Sequence, residues 1–257
     1  MSYTISEENL ERQMLLAEAL NPFTTPHLTA LDVNRSGRWL DVGSGIGETT
    51  RMLTQFLEPG GECVGLEQDP ALIEVAQDQD WGEQRVTFRQ GDAMDLPFDD
   101  NSFDFVFTRY LLVHLPDPLA ALREMFRVAK PGALVFAQEP DLTFNCCYPS
   151  SPGYERIPEM WSALFPDIEI GRKLVHLFRG VGDVPVEVRA DIGIEAEGGN
   201  YRRLYALTFE AIGQALVTAG HLDSKEFESL LDDFREVESD SSRVVISNPI
   251  ISVWGQA

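Results

Sequence analysis

The stretch WLDVGSGIGETT, residues 39–50, decides the fold. A short apolar run ends after Asp41, three glycines follow at Gly43, Gly45 and Gly47, and the next residues have apolar side chains at helical spacing. Glycine suits a tight strand-to-helix turn because it adopts positive φ without steric cost and lets a ligand approach the backbone. The stretch therefore predicts the first strand, turn and helix of an α/β domain, with a candidate ligand site in the turn.

The rest of the chain extends this pattern into one domain of 257 residues. Short β-rich runs alternate with helical patterns as far as residue 140, which is typical of a parallel sheet. Ser6 is a candidate cap for a preceding helix. We predict a helical cover at 1–37, a core at 38–140, and insertions with the final strands at 141–257. The predicted strands are 38–42, 62–67, 85–90, 103–109, 133–139, 185–197 and 249–255, and the later helices are 168–180, 201–219 and 224–236.

The composition predicts whether the protein binds a metal and in which cellular compartment it is found. The three cysteines have neither the spacing of a disulfide framework nor that of a metal site, so we expect no metal. No run approaches the roughly 18 apolar residues that span a bilayer, and no membrane insertion is expected. The first residues have no basic start and no apolar signal core, so the expected location is cytoplasmic.

The net charge of −22 limits the classes of partner that we expect the protein to bind. Nucleic-acid binding needs a basic surface that displaces counterions, and the sequence has no such cluster, so no nucleic-acid partner is expected. Such a charge is typical of a soluble protein and is also compatible with a cationic ligand. A homodimer is compatible with the sequence as well.

The glycine spacing separates two classes of ligand. Dinucleotide sites have the pattern G-x-G-x-x-G, whereas this chain has G-x-G-x-G between Asp41 and Glu48. Two acids beside a phosphate would be unfavourable, because like charges repel in a partly desolvated site. The same acids suit a ligand that carries an ammonium and a sulfonium. The P-loop sequence G-K-[ST] is absent from the turn.

Two further acids follow predicted strands. Glu67 ends the second strand, 20 residues after Gly47, where a carboxylate can accept both hydroxyls of a ribose. Asp92 follows the third strand and could accept from an adenine amino group, with Ala93 and Met94 along the ring. Each residue alone also has a plain structural interpretation, as a surface acid or a turn residue.

Together these motifs resemble the class I S-adenosylmethionine-dependent methyltransferases. The resemblance rests on LDVGSGIGE (40–48), VGLEQDP (64–70), GDAMDLPF (91–98) and the run from 103 to 141. It is similar to the small-molecule branch, which includes ubiquinone, menaquinone and natural-product methyltransferases, so small-molecule methylation in secondary metabolism is expected. The resemblance implies an α/β, Rossmann-like doubly wound seven-stranded sheet in order 3-2-1-4-5-7-6, with the last strand antiparallel, N-terminal helices and helical lid insertions.

The resemblance also implies a cofactor, S-adenosyl-L-methionine, with S-adenosyl-L-homocysteine as product. The family's cofactor residues are carried over here onto the matching positions of this sequence. The residues of the first motif would line the methionine and ribose side, Glu67 would hold the ribose hydroxyls, and Gln68 would flank the adenine. Asp92, Ala93 and Met94 would address the base, and Arg109 would border the methionine moiety. The methionine and ribose group comprises Asp41, Gly43, Ser44, Gly45 and Gly47.

The acceptor chemistry has three candidate residues. Methyl transfer from a sulfonium needs a base only if the acceptor must lose a proton. His114 is the candidate base, Tyr110 could take the same role, and Glu139 at the end of the fifth strand could bind the acceptor; each could equally be structural. Aromatic residues at 144–165 and the helices that follow either cover a flat apolar acceptor or belong to the core.

These observations favour O-methylation of a hydroxyl or phenol on a small-molecule acceptor, with N- or C-methylation left open. Two rivals come from other classes: a nicotinamide-dependent oxidoreductase of the same architecture, and a protein that binds the nucleoside without turnover. The glycine spacing counts against the first. The cofactor residues do not exclude the second, since they bind and perform no chemistry.

Overall fold

A computed structural model describes residues 7–196 and 199–257 of the chain. The helix cap predicted at Ser6 lies outside these residues. The first helix is one continuous element that contains Pro22 and Pro26. The helices are α1 (Glu7–Ala30), α2 (Glu48–Thr54), α3 (Pro70–Gln77), α4 (Pro118–Val128), α5 (Pro152–Leu164), α6 (Ile170–Val181), α7 (Asn200–Thr218) and α8 (Ser224–Ser239). The strands are β1 (Arg38–Val42), β2 (Glu62–Glu67), β3 (Val86–Gln90), β4 (Phe103–Arg109), β5 (Ala129–Pro140), β6 (Cys146–Tyr148), β7 (Val186–Asp191), β8 (Ile194–Glu195), β9 (Val244–Ile246) and β10 (Ile250–Gln256).

Seven strands form the main sheet, in the order β3-β2-β1-β4-β5-β10-β7. The first five are parallel, and β10 runs antiparallel to both β5 and β7. Within this sheet β7 is the sixth strand of the chain and β10 the seventh. The predicted order 3-2-1-4-5-7-6, with an antiparallel last strand, is therefore confirmed.

The central strands are buried on both faces, which explains their near-continuous apolar sequence. Alternate residues of one strand enter different clusters: Leu40 and Val42 belong to one apolar cluster and Trp39 to the other. Helices pack on both faces, as a doubly wound sheet requires. Asp69 and Asp117 cap α3 and α4, as their Asp-Pro pairs predict, and each carboxylate accepts a backbone N–H at 3.0 Å.

The chain after the fifth strand departs from the sequence prediction. The strand predicted at 185–197 is divided into β7 and β8 by a break at Gly193, whose N–H donates to Ser247 Oγ at 2.9 Å. A Cβ at Gly193 would lie 2.6 Å from the Tyr201 ring, so the chain needs glycine where it turns. β8 then leaves the main sheet and joins a second sheet in the order β6-β9-β8.

Helix α5 lies within the proline- and aromatic-rich region for which no helix is predicted. Pro152 occupies its first turn, where proline is tolerated, and Ser151 caps it by accepting from the Tyr154 N–H. Helix α1 packs against α7, and α7 packs against α8. Within the described residues, no helix is both long and apolar enough to cross a membrane.

Candidate functional site

A cavity of about 320 Å³ opens where the parallel strands end. Its floor is the turn after β1 together with the ends of β2, β3 and β4. Helices α1, α5 and α7 form its walls, with residues such as Gln13, Trp161 and Tyr205. Residues from the ends of the parallel strands therefore meet in one space, as they do in other open α/β sheets.

The glycine turn is held against β2 by its backbone. The N–H groups of Gly43 and Ser44 both donate to the Leu66 carbonyl, at 2.8 and 3.0 Å. Gly43 has φ 78°, and a Cβ there would lie 2.9 Å from the Leu111 side chain, so both conformation and space require glycine. Gly45, a predicted cofactor residue, lines the cavity. Gly47 does not: it precedes α2 at φ 94°, beside the Trp81 and Phe88 rings, and shapes the turn from outside.

Asp41 lies directly beneath this turn and is almost fully buried. Its Oδ2 accepts from the hydroxyls of Thr49 and Thr50, at 2.7 and 2.6 Å, whereas its Oδ1 is buried and has no hydrogen-bond partner among the described residues. Burial raises the pKa of Asp41 to about 6, although the two hydroxyls and Arg109 oppose that shift. Asp41 itself does not line the cavity; Thr49 and Ser44 do.

Glu67 lines the cavity and is fixed by three backbone donors. Its Oε2 accepts from Gly45 N–H at 3.0 Å, and its Oε1 accepts from the N–H groups of Gln68 and Asp69, at 2.7 and 3.0 Å. A carboxylate has about four acceptor positions, so about one remains for a ligand unless a backbone donor is displaced. Gln68 lines the cavity next to it.

The loop after β3 brings Asp92 and Ala93 to the cavity. Asp92 Oδ1 accepts from Met94 N–H at 2.8 Å, which fixes the loop and leaves Oδ2 without a hydrogen bond among the described residues. Met94 was predicted to lie along a ligand ring. The structure corrects this: Met94 packs against the main apolar core and does not line the cavity, because the tight turn at Asp92 directs it inward.

Arg109, at the end of β4, is a buried cation on the cavity wall. Its Nη1 donates to Asn21 Oδ1 at 2.9 Å and to Thr24 Oγ1 at 3.1 Å, both on α1. No carboxylate of the described residues lies within 4.0 Å of its guanidinium. Burial lowers the pKa of Arg109 to about 10, a shift that Asp41 opposes, so the group remains cationic at neutral pH. A buried cation without a close carboxylate suits an anionic ligand group.

His114 lies in the 3-10 turn at Leu112–His114 and lines the far end of the cavity. Its ring centroid is 5.2 Å from that of Phe165. Burial lowers the pKa of His114 to about 4, and the charge of Arg12 adds to that shift. The imidazole is therefore neutral at neutral pH and a weak base.

Tyr110 also lines the cavity and has an unusual backbone. Its φ is 55°, which is uncommon for a residue other than glycine, and its hydroxyl accepts from Asn248 Nδ2 at 3.1 Å. Burial raises the pKa of Tyr110 well above its ordinary value, so the phenol stays protonated. It can donate a hydrogen bond and cannot act as a base at neutral pH.

Glu139 was predicted to face the cavity, and the structure corrects this. Its side chain is fully buried and accepts from the N–H groups of Leu111, Leu112 and Val113, at 2.9, 2.8 and 3.2 Å. Burial raises the pKa of Glu139 to about 8, although these three bonds oppose the shift. The carboxyl group holds the turn that carries His114 and is not available to an acceptor.

The sequence predicted a helical cover at 1–37, but sequence reasoning named no individual lining residue of that cover or of the loop before β10. Helix α1 contributes Arg12, Gln13, Leu16 and Ala17, and the loop before β10 contributes Asn248. On α7, the lining residues recur at helical spacing, a signal that was present in the sequence but did not distinguish a cavity wall from core. They are Tyr201, Leu204, Tyr205, Thr208 and Ile212.

These residues fit the cofactor that the sequence implies. An amino-acid carboxylate would find the buried Arg109 guanidinium, and an adenosine would find the Glu67 and Asp92 carboxylates on the same wall. Ser44 lines the cavity, and its Oγ is buried without a partner among the described residues, as expected beside a polar ligand.

Comparison with known proteins agrees with this geometry. The profile of the methyltransferase domain family matches residues 40–137. A demethylmenaquinone methyltransferase of Staphylococcus carnosus is 33% identical over 187 residues, which cover 65% of this chain and 76% of that protein. An uncharacterized methyltransferase of Schizosaccharomyces pombe is 41% identical over 125 residues, which cover 46% of this chain and 45% of that protein, so the chain spans less than half of this relative's length.

Solved structures show the same fold. Phosphoethanolamine N-methyltransferase 2 of Haemonchus contortus, in complex with S-adenosyl-L-methionine, superposes with a TM-score of 0.55 at 18% identity, over 92% of this chain and 52% of that chain. The family profile, the Staphylococcus relative and the sheet order all lead to one assignment. The chain belongs to the class I S-adenosylmethionine-dependent methyltransferases of small-molecule type, a family whose cofactor is S-adenosyl-L-methionine.

Proposed function

We propose that the protein transfers a methyl group from S-adenosyl-L-methionine to a small, largely apolar acceptor. The observation that carries this proposal is a single cavity with two chemically different ends. One end has the glycine turn, Glu67, Asp92 and Arg109; the other is lined by apolar and aromatic side chains with His114. A polar nucleoside and an apolar acceptor would therefore meet in one enclosed space.

At the polar end, each cofactor group has a candidate partner. Glu67 would accept the ribose hydroxyls, with Gly45 N–H released from the carboxylate as the ribose binds. Asp92 Oδ2 would accept the adenine amino group beside Ala93 and Gln68, and Arg109 would bind the amino-acid carboxylate. When bound, S-adenosyl-L-methionine supplies an activated methyl group on a sulfonium. The protein then has to position the acceptor and exclude water.

At the other end, the walls select the acceptor. Trp161 of α5 and Phe165, which directly follows that helix, face the cavity together with Leu204 and Ile212 of α7. Such walls favour an acceptor whose bulk is apolar, because apolar side chains cannot replace the hydration of polar groups. The demethylmenaquinone substrate named for the Staphylococcus relative supports an apolar acceptor.

We favour O-methylation of a hydroxyl or phenol, with one restriction. A base whose conjugate acid has a pKa of about 4, as for His114, takes a proton poorly from a phenol of pKa about 10. The raised pKa of Tyr110 and the hydrogen bonds that Glu139 accepts disfavour these two groups as the base at neutral pH. The oxygen acceptor would therefore be a phenol acidic enough to ionise by itself.

N- or C-methylation is the second candidate, and the neutral His114 favours it. A neutral amine presents its lone pair without a base, and an acidic carbon acid ionises on its own.

We further propose that the chain works as one domain: 1–37 and 141–257 would close the cavity over the cofactor-binding core at 38–140. A small-molecule acceptor fits that enclosed arrangement better than a nucleic acid, since the net charge of −22 disfavours a polyanion.

The test is a screen of acceptors with purified protein and S-adenosyl-L-methionine. Phenols of graded acidity, amines and 1,3-dicarbonyl compounds would be followed by mass spectrometry for the added methyl group. We expect a methylated product in amounts equal to S-adenosylhomocysteine, and rates among phenols that rise with the phenolate fraction. Glu67→Ala, which lacks the carboxylate that we propose binds the ribose hydroxyls, is the control variant. Cofactor binding without methylation of any acceptor class would instead favour a nucleoside-binding protein.

A further inference from the structure

Strand β7 ends the main sheet and is open on its outer side. It pairs with β10 on one side, and no other strand of the described residues pairs with it. The four residues 187–190 are all exposed. An edge strand of this kind presents unpaired backbone groups and is a template for pairing with another chain.

The backbone shows which groups face outward. The Val188 carbonyl accepts from the Nη1 atom of Arg189, its neighbour in sequence, at 2.8 Å. A side chain therefore occupies an acceptor that has no strand partner. In an antiparallel ladder the N–H and C=O of one residue point to the same side, so Val188 offers both groups to an incoming strand.

Exposed apolar side chains concentrate in β7 and the residues that follow it. Val188 is 45% exposed, Ile192 after the strand 43%, and Ile194 in β8 66%. These are three of the six large apolar side chains exposed among residues 7–196 and 199–257, and they lie within seven residues of sequence. An apolar cluster on an open edge favours burial against a partner.

The charges on this strand are complementary to themselves. Glu187 and Arg189 lie on either side of Val188 in sequence, so their side chains share one face of the strand. The Arg189 Nη2 and Glu187 Oε2 atoms are 3.3 Å apart. If two copies of β7 pair antiparallel with Val188 opposite Val188, each Glu187 faces an Arg189 of the other copy. A shift of the centre to residue 187 or 189 would place like charges opposite each other, which is destabilising. The sequence therefore favours one register.

We propose that β7 pairs with the β7 of a second copy of this chain, in antiparallel orientation and with Val188 at the two-fold axis. The two main sheets then form one continuous sheet of fourteen strands. Val186 lies opposite Ala190, and Val184 opposite Ile192, which covers part of the exposed apolar edge. No residue of 186–194 lines the cavity, so this interface is independent of the proposed function.

Light scattering after size-exclusion chromatography tests the proposal, over a range of protein concentrations near physiological salt. The wild-type chain should reach twice its mass of 28.7 kDa. Glu187→Arg should raise the dissociation constant by about tenfold or more, because both symmetry-related pairs change from attraction to repulsion. Arg189→Glu should do the same. The double variant, in which the two charges are exchanged, should dimerise nearly as well as the wild type.

Glu228→Arg is the matched control, since it makes the same change of charge at an exposed site on α8 and should leave the dimer intact. Thermal unfolding and S-adenosylhomocysteine binding, which should not change in any of these variants, report whether each has folded. A wild-type chain that stays monomeric at every concentration would overturn the proposal. So would a dimer that survives Glu187→Arg, or a double variant that fails to restore dimerisation.

Discussion

At the scale of single residues, Asp41 links the glycine turn to the pH dependence of stability. Its pKa is raised from 3.8 to about 6, so the native state binds a proton that the unfolded state has already lost between these values. Its contribution to the unfolding free energy is complete below about pH 4 and is lost as pH rises through 6.

Asp41→Asn removes this titration. The unfolding free energy of the variant, relative to the wild type, should therefore rise by up to about 3 kcal/mol between pH 4 and pH 7, since one unit of pKa corresponds to about 1.4 kcal/mol. Urea unfolding of both proteins at several pH values measures the difference. A difference that stays constant with pH, or falls, would show that Asp41 is not protonated in the native state.

His114 has the opposite shift, with its pKa lowered from 6.5 to about 4. Its native state binds fewer protons over that range, so its contribution to stability rises as pH increases from 4 to 6.5. Because the imidazole is a weak base, His114→Gln should lower the methyl-transfer rate by less than about tenfold. The pH dependence between about 5 and 9 should be unchanged. A loss of more than a hundredfold, with one limb of the profile removed, would restore His114 as the general base.

Side-chain direction decides which of the predicted site residues line the cavity. Glu67 and Asp92 lie on the cavity because the end of a parallel strand is a fixed place in the fold. At the end of β5, the consecutive residues Glu139 and Pro140 point to opposite faces of the sheet. Pro140 lines the cavity, whereas Glu139 is buried and does not. Sequence alone could not assign these faces, because a register error of one residue reverses them.

At the scale of elements, Glu139 joins β5 to the 3-10 turn at Leu112–His114. Its two carboxyl oxygens accept three backbone N–H groups that have no other partner among residues 7–196 and 199–257. Glu139→Ala would leave these donors unpaired and create a cavity. We expect the unfolding free energy to fall by about 2–5 kcal/mol.

Glu139→Gln is the matched comparison, since its amide oxygen can still accept while its NH₂ group cannot, and it should lose less stability than Glu139→Ala. Urea unfolding measures both. A change within about 0.5 kcal/mol for Glu139→Ala, typical of surface sites, would contradict the role assigned to this carboxyl group.

The predicted elements succeeded where one signal dominated. The strands at 38–42, 62–67 and 103–109 agree with the structure, because apolar runs between turn residues have few alternative interpretations. Helix α5 and the second sheet were not predicted. In α5, Pro152 and Pro158 suggest a loop, whereas tertiary packing of Tyr154 and Trp161 stabilises the helix. The three short strands of the second sheet pair over long sequence distances, which no local pattern reveals.

At the scale of the whole molecule, a net charge of −22 repels itself in the compact state. Salt screens this repulsion, since the Debye length falls from about 10 Å at 0.1 M to about 3 Å at 1 M. The midpoint of thermal unfolding should therefore rise as KCl is increased over this range. Differential scanning calorimetry measures it. An unchanged or falling midpoint would mean that the surface ion pairs, which salt weakens, outweigh the overall repulsion.

The central claim is that the cavity after β1 and β2 binds an adenosyl group through Glu67. Titration calorimetry with S-adenosylhomocysteine tests it most directly, without an acceptor. We predict one binding site per chain in the wild type and a loss of about 1–3 kcal/mol of binding free energy in Glu67→Ala. Glu67→Gln, which keeps an acceptor for the Gly45 N–H, should separate the ribose contact from the shape of the loop. A folded wild type that binds nothing, or a Glu67→Ala variant with unchanged affinity, would contradict the account.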